Sequence, residues 1–379
     1  MEREDDRVPV TLLTGFLGAG KTTLLNHLIR DPDAGRIAVV MNEFGDVGLD
    51  HDLIEEATEE TVLMQSGCLC CSIRGDLAKT MASLMARRKR GELAFDRVVI
   101  ETTGIADPGP IHHTLIVDDL IAPHYRMDGI VTLADAANGP RTLDAQFEAV
   151  NQVAMADLLV ITKTDLVSTS QLDRLTDRLH GINSTARVVL GDQGRIAPGS
   201  LFNLTAMREG VTSDELSDWL GVSSSKPDPL AGLSGLAPKT PAAQPMASLG
   251  AHAHHDSRIG SASIEVAEPI PADVFDFWLD TLIALKGPDI LRIKGIVHVE
   301  GIDWPFVFHG VQHIFDAPVP LKSWSGKDTT SRVVVIARDI DKSDLRGSLE
   351  TLRMRPQETR ADGMLVHATE MPTTPLRQE

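Results

Sequence analysis

Cysteine is nearly absent from this chain. Only three occur in 379 residues, and all of them, Cys68, Cys70 and Cys71, fall within one four-residue stretch. Thiols so placed build no disulfide framework; in a cytosolic chain they point to metal or redox chemistry. Long apolar runs are missing too: none approaches the roughly 18 residues of a membrane span. The opening Met1-Glu-Arg-Glu-Asp-Asp lacks the apolar centre of a secretory signal. A cytoplasmic protein with no membrane partner is expected. Positive charge is scarce: 36 basic against 54 acidic side chains leave a net charge of −18. That excludes a general surface for nucleic acid or anionic membrane. It does not exclude a nucleotide ligand, which needs only a local cationic pocket. The apolar fraction of 42% suffices for a normal core, and the length suggests two domains.

The most informative stretch runs from Thr11 to Thr23. Gly15, Gly20, Lys21 and Thr22 satisfy the spacing G-x-x-x-x-G-K-S/T of a phosphate-binding loop. Val8 to Leu13 before it is short, apolar and β-branched, as a buried strand is. Leu24, Leu25, Leu28 and Ile29 after it repeat at helical spacing. The loop therefore leads from a strand into a helix N-terminus, where backbone N–H groups and the helix dipole favour phosphate. Lys21 is placed to reach the β- and γ-phosphates and the Thr22 hydroxyl to ligate magnesium.

Ile37 to Met41 reads as a second strand. It leads into Asn42-Glu43-Phe44-Gly45-Asp46, a polar loop with the sequence position of a nucleotide switch. A third strand, Thr61 to Met64, precedes Gly67-Cys68-Leu69-Cys70-Cys71, and a helix follows from about residue 75 to 90. Thiolates suit zinc and similar metals. Three adjacent ones need a further ligand, and Glu43 is the best candidate if the two loops meet at one end of the sheet. Redox sensing is the competing reading, because vicinal thiols near a helix start can have lowered pKa values. The strand Arg97 to Ile100 ends in Glu101-Thr-Thr-Gly104. There Glu101 is expected to hold magnesium through water and the Gly104 backbone N–H to approach the γ-phosphate. His112 and His113 read as surface or helix-start residues. Further strands are expected at Asp128 to Leu133 and Asp157 to Ile161, with a helix over Gln146 to Met155 between them. The last strand runs into Thr162-Lys163-Thr164-Asp165, an N/T-K-x-D pattern. A carboxylate at Asp165 would accept two hydrogen bonds from guanine that adenine cannot offer, and the Lys163 stem would lie over the base.

The first domain is thus expected to be α/β, a P-loop NTPase domain with a largely parallel sheet over residues 1–220. Residues 221–262 read as a flexible linker rich in Ser, Pro, Ala and Gly. It carries His252, His254, His255 and Asp256, either a metal-capturing tract or merely solvated linker. Residues 263–379 read as a small α+β C-terminal domain of mixed strands. In it Val274, Phe277, Trp278, Leu282 and Leu285 form the buried side of a helix. His298, His309 and His313 are expected to belong to its sheet.

Taken together, G-F-L-G-A-G-K-T-T at 15–23, N-E-F-G at 42–45, G-C-L-C-C at 67–71, E-T-T-G at 101–104 and T-K-T-D at 162–165 resemble the CobW family of P-loop GTPases. R-I-K-G-I at 292–296 and F-H-G-V-Q-H at 308–313 resemble that family's C-terminal domain. The resemblance implies a GTP-hydrolysing metallochaperone for zinc or cobalt. Gly15, Gly18, Ala19, Gly20, Lys21, Thr22, Thr23 and Gly104 would surround the phosphates, and Lys163 with Asp165 would read the base of GTP or GDP. Lys21 and Glu101 would serve catalysis, with Glu101 at the magnesium end. Cys68, Cys70 and Cys71, with Glu43, would hold the transferred metal. A client metalloprotein is the implied partner, with room for an oligomer that depends on nucleotide or metal. Outside that resemblance stand two alternatives, a redox-regulated GTPase switch and a non-enzymatic nucleotide-binding scaffold.

Overall fold

The structure is a computed structural model that describes residues 5–42, 62–65, 73–192, 195–206, 211, 213–221, 256–322, 324 and 328–355. Its first part alternates strand and helix. The strands are β1 (Val8–Gly15), β2 (Ile37–Asn42), β3 (Val62–Gln65), β4 (Arg97–Thr102), β5 (Tyr125–Asp135), β6 (Leu158–Thr162) and β7 (Arg187–Leu190). They form one sheet in the order β3-β2-β4-β1-β5-β6-β7, with every neighbouring pair parallel. The helices are α1 (Lys21–Leu28), α2 (Ile73–Lys89), α3 (Gly109–Val117), α4 (Gly139–Ala145), α5 (Phe147–Met155), α6 (Thr169–Ile182), α7 (Pro198–Leu201) and α8 (Ser213–Leu220).

Parallel strands buried on both faces read as continuous apolar runs, and the packing shows why. Val10 and Leu12 of β1, Ala38 and Val40 of β2, and Val98 and Ile100 of β4 pack under α2, α3, α5 and α6. Their neighbours Leu13, Val39, Met41 and Val99 point the other way, onto Leu24, Leu25 and Leu28 of α1. The expected strands and helices of this domain all appear, with ends shifted by a few residues.

The second sheet begins at Ile259, inside the stretch read as linker. Its strands are β8 (Ile259–Val266), β9 (Ile290–Val297), β10 (Phe306–Val311), β11 (Ile314–Phe315), β12 (Val319–Pro320) and β13 (Ser331–Arg338). The order is β11-β10-β9-β13-β8, with β12 on β10, and all of these pairings are antiparallel rather than mixed. The helices α9 (Ala272–Lys286) and α10 (Lys342–Glu350) cover one face through Val274, Trp278, Leu282, Leu345 and Leu349. Phe277 and Leu285, expected on the buried side of α9, are 65% and 73% exposed. The sheet takes only the narrow 274–278–282 row, whose members repeat at i and i+4. Of the three histidines expected in the sheet, only His309 lies in a strand. His298 follows β9, and His313 occupies the turn between β10 and β11.

The other face of this sheet packs on the first domain. Leu291, Val311 and Ile336 join the core of α3, α5 and α6. Ile296, Val307 and Leu321 pack with Leu216 and Trp219 of α8. His112, expected near the surface, is fully buried in this seam. Burial pushes its imidazole down to about 4. The alternation of β9 therefore has an unexpected reading: Arg292 and Lys294 are its polar positions, yet each is 1% exposed. Arg292 donates to the Met155 carbonyl and to Asp157. Lys294 lies 3.4 Å from the same carboxylate and donates to the Trp219 carbonyl at 3.0 Å. Burial opposes ionisation of Asp157, but Arg292 and Lys294 hold its carboxyl well below the usual range. The R-I-K motif at 292–294 is thus a docking device between domains.

Removing one partner from such a cluster leaves buried charge uncompensated, at a cost of about 3–5 kcal/mol. Asp157→Ala should lower unfolding stability by that order in urea titration, and adding Arg292→Met should recover part of the loss. Burial, with Arg292 beside it, pushes Lys294 down to about 7. From there up to the ordinary lysine value of about 10.4, the unfolded chain binds this proton and the folded chain does not. Stability should therefore gain a rising component with pH across that window, and Lys294→Met should flatten it.

Candidate functional site

The loop between β1 and α1 is shaped by two close approaches. Gly15 has φ 138°, and a Cβ there would lie 2.6 Å from the Leu133 carbonyl of the neighbouring strand, so only glycine fits. Gly104 meets the same loop from the β4 exit: a Cβ on it would come within 2.5 Å of the Leu17 backbone nitrogen. Between them the chain turns through Gly18 at φ 74° and Gly20 at φ 96°, the residue that precedes α1. Ala19 is buried against α1, and Thr23 is exposed on the helix's first turn.

Lys21, 9% exposed, donates from Nζ to the Gly15 carbonyl at 2.8 Å and to that of Phe16 at 3.5 Å. Its ammonium thus lies across the loop that a phosphate would fill. Thr22 Oγ1 donates to Glu101 Oε1 at 3.3 Å. Glu101 is fixed by strand register, opposite Leu13 on one side and Met41 on the other. A hydroxyl and a carboxylate so juxtaposed are hard oxygen donors suited to magnesium. Thr102 and Thr14 join β4 to β1 one residue further on, through hydroxyls 2.8 Å apart.

On the other flank, Thr162 Oγ1 donates to the Ala19 carbonyl at 2.8 Å, so the first residue of T-K-T-D braces the phosphate loop. Lys163 adopts φ 56°, a left-handed conformation, and its Nζ lies 2.7 Å from Asp135 Oδ2. Burial alone would raise Asp135, but hydrogen bonds from Lys163 and Asn138 outweigh it and hold the carboxyl below its usual range. Asp165 is exposed in the turn that follows. The structure therefore brings Gly15, Gly18, Ala19, Gly20, Lys21, Thr22, Thr23, Glu101, Gly104, Lys163 and Asp165 to the C-terminal edge of one parallel sheet. This is the usual ligand edge of open α/β folds.

Glu43, Cys68, Cys70, Cys71 and the histidine tract at 252–255 lie outside the described residues. The strands leading to the first four are described. β2 and β3 are parallel neighbours, with Met41 opposite Gln65 and also opposite Glu101. Gln65, Met41, Glu101 and Leu13 thus form one row across four strands. Glu43 is two residues beyond Met41 in sequence, and Cys68 three beyond Gln65.

Two participants escaped sequence reasoning. Gln152 of α5 is 1% exposed and donates from Nε2 to the carbonyls of Gly104 and Ala106, at 3.1 and 3.0 Å. Its signal was an amide, next to that of Asn151, among the apolar residues of Phe147–Met155. Asp135 lies two residues past an expected strand, and its role shows only in the fold, where it anchors Lys163 and accepts from the turn at Ala137 and Asn138.

Two family models match the chain. The CobW/HypB/UreG nucleotide-binding domain covers residues 9–190, and the cobalamin synthesis protein cobW C-terminal domain covers 259–353. The zinc chaperone YjiA of Escherichia coli is 31% identical over 348 residues, 91% of this chain and 99% of its own. Zinc-regulated GTPase metalloprotein activator 1 of Schizosaccharomyces pombe is 32% identical over 359 residues, 89% of this chain and 84% of its own. The crystal structure of Zn(II)-bound YjiA GTPase from E. coli superposes with a TM-score of 0.67 at 27% identity, covering 92% of this chain and 99% of that one. The motifs, the fold and both matched domains lead to one conclusion: the chain belongs to the CobW family.

Proposed function

We propose that this protein is a GTPase metallochaperone that carries zinc or cobalt on Cys68, Cys70 and Cys71, with Glu43, and releases it to a client protein under control of the bound nucleotide. The observation that carries this reading is the row Gln65–Met41–Glu101–Leu13. Adjacent strands lie about 4.8 Å apart, so the exit of β3 stands roughly 10 Å from Glu101. The cysteines are confined to the seven residues between Gln65 and Ile73, the start of α2. A short tether of this kind keeps a thiolate site beside the phosphate end of the nucleotide.

The chain's own groups divide the work of hydrolysis. Backbone N–H groups at the start of α1 receive the phosphates, and Lys21 exchanges its carbonyl partners for phosphate oxygens. Thr22 and Glu101 are the residues that would hold magnesium. When bound, that ion neutralises charge developing on the transferred group. Gly104, with no side chain to separate it from Leu17, lets the β4 exit register the γ-phosphate. Asp165 accepts from guanine, while Asp135 anchors the Lys163 ammonium so that its stem can lie along the base. The Thr162 hydroxyl serves the loop, which leaves guanine selection to Asp165.

Lys21→Ala removes the only side-chain cation in the loop from Gly15 to Thr23. Turnover of GTP should fall on the order of 100-fold or more, with an unchanged thermal melt. Undiminished hydrolysis would remove the loop from the mechanism. Nucleotide control of the cargo has a separate measurement. Chelator competition should give zinc affinities that differ by roughly 5- to 150-fold between GDP and a non-hydrolysable GTP analogue, with a reciprocal effect of zinc on nucleotide affinity. Equal affinities in the two states would refute the coupling.

A further inference from the structure

The seam between the domains contains a cluster that the nucleotide site does not use. His112 sits in the middle of α3, fully buried, and neither of its ring nitrogens has a hydrogen-bond partner among the described residues. Facing it across the seam is His309 of β10, 3% exposed. Its Nδ1 lies 3.0 Å from Asp316 Oδ2, and its Nε2 is likewise without a partner among the described residues. Asp316, just past β11, brings the same Oδ2 to 4.0 Å from His112 Nε2. One ligand atom from each of the three residues lies within 4.8 Å of the others. The two imidazoles meet edge to face at 5.9 Å, and Trp219 closes the far side of His309 at 6.1 Å.

A buried imidazole with both nitrogens unsatisfied costs stability, and an apolar side chain would pack there without that cost. Two histidines and a carboxylate from two domains, with lone pairs converging, are a donor set for a borderline divalent ion. We propose that His112, His309 and Asp316 form a thiolate-free site for zinc or a similar divalent ion, completed by water, that clasps the C-terminal domain to the nucleotide domain. Bonds of about 2.0–2.1 Å in a tetrahedron place ligand atoms roughly 3.3 Å apart. The widest pair must therefore close by about 1.5 Å, a distance that side-chain rotation and a small approach of α3 to β10 can cover.

The surrounding charge permits a cation. Arg292 and Lys294 are the nearby positive groups, and both engage Asp157, so Asp316 remains the carboxylate available to the ion. Arg7 also feels the field of Asp316 and competes with the ion only through space. The site has a position of consequence. α3 starts five residues after Gly104, so an ion drawn between α3 and β10 acts on the element that follows the γ-phosphate-facing turn.

Zinc content of the full chain, after equilibration and gel filtration, tests the assignment. His309→Gln and Asp316→Asn should each carry one equivalent less than the native chain. The chain with Cys68, Cys70 and Cys71 all changed to Ser should keep that equivalent. Equal zinc in the native chain and both folded variants would overturn the site. A readout that leaves the three residues untouched guards against variants that do not fold. Zinc should raise the melting temperature of the serine-substituted chain by a few degrees, because the ion joins two domains. No rise in that chain would also overturn the proposal. Because the serine-substituted chain has no cysteine, failure of the thiolate reading and failure of the seam site give different results.

Discussion

Asp157 is the residue on which the arrangement of the two domains depends. It stands at the junction of α5 and β6, almost wholly out of solvent. One carboxylate oxygen accepts from the Ile130 backbone at 3.0 Å, and the other faces Arg292 and Lys294. A single buried carboxylate thus closes the first sheet internally and receives two cations of β9. Neither cation would tolerate the seam alone, since desolvating an ammonium or guanidinium costs several kcal/mol. The apolar contacts of Leu291, Val311 and Ile336 supply the area of the interface. The Asp157 cluster supplies its register, because sliding β9 by one residue would turn both cations away from their acceptor.

The same junction links the seam to the nucleotide edge. α5 carries Gln152, whose amide holds the carbonyls of Gly104 and Ala106, and it ends at Met155, whose carbonyl receives Arg292. The helix is fixed at that end by Asn183, which donates to the carbonyls of Val153, Ala154 and Ala156 at 2.9–3.1 Å. Its middle is tied to β5 by Thr132 Oγ1, which donates to the Gln152 carbonyl at 3.0 Å. Gly104, Gln152, Met155 and Arg292 therefore form a continuous path through one rigid element. Coupling between sites travels through packed helices and hydrogen-bond networks of this kind. On the proposed function, a shift of Gly104 on binding of a γ-phosphate would reach α5 directly, because Gln152 holds the carbonyls of Gly104 and of Ala106 two residues on.

How much of this was legible in the sequence divides along physical lines. The phosphate loop was readable because its parts are local: Gly15, Lys21 and Thr22 lie between the end of β1 and the first turn of α1, on a spacing that marks such a loop. The strands of the first sheet were readable because burial on both faces leaves runs dominated by apolar residues, interrupted only by buried polar residues such as Thr11 and Asp128. The seam was not readable, because its defining residues are polar and lie far apart in sequence. Arg292 and Lys294 alternate with apolar residues just as the solvent face of an antiparallel strand would. Only tertiary contact shows that the polar face meets Asp157, which is 135 positions away from Arg292. His112 misled for the same reason, since nothing near it in sequence reveals that β10 will cover it. Phe277 and Leu285 misled in reverse: helical periodicity marks an apolar side, not how much of that side a sheet will cover.

The contacts at the nucleotide edge show why this site can stand folded without its ligand. Each cation that a nucleotide would use has a protein acceptor in the structure. Lys21 rests on the Gly15 and Phe16 carbonyls, and Lys163 on Asp135. These acceptors differ in strength. A neutral carbonyl holds an ammonium less strongly than an ionised oxygen does. Lys21 therefore has an incentive to move to phosphate, whereas Lys163 gains nothing by leaving its carboxylate. On the proposed function, the first lysine would be a mobile ligand for charge and the second a fixed wall for the base. That asymmetry follows from which strand exits carry an acid: β5 ends in Asp135, while β1 ends in Gly15, which has only a backbone oxygen to offer.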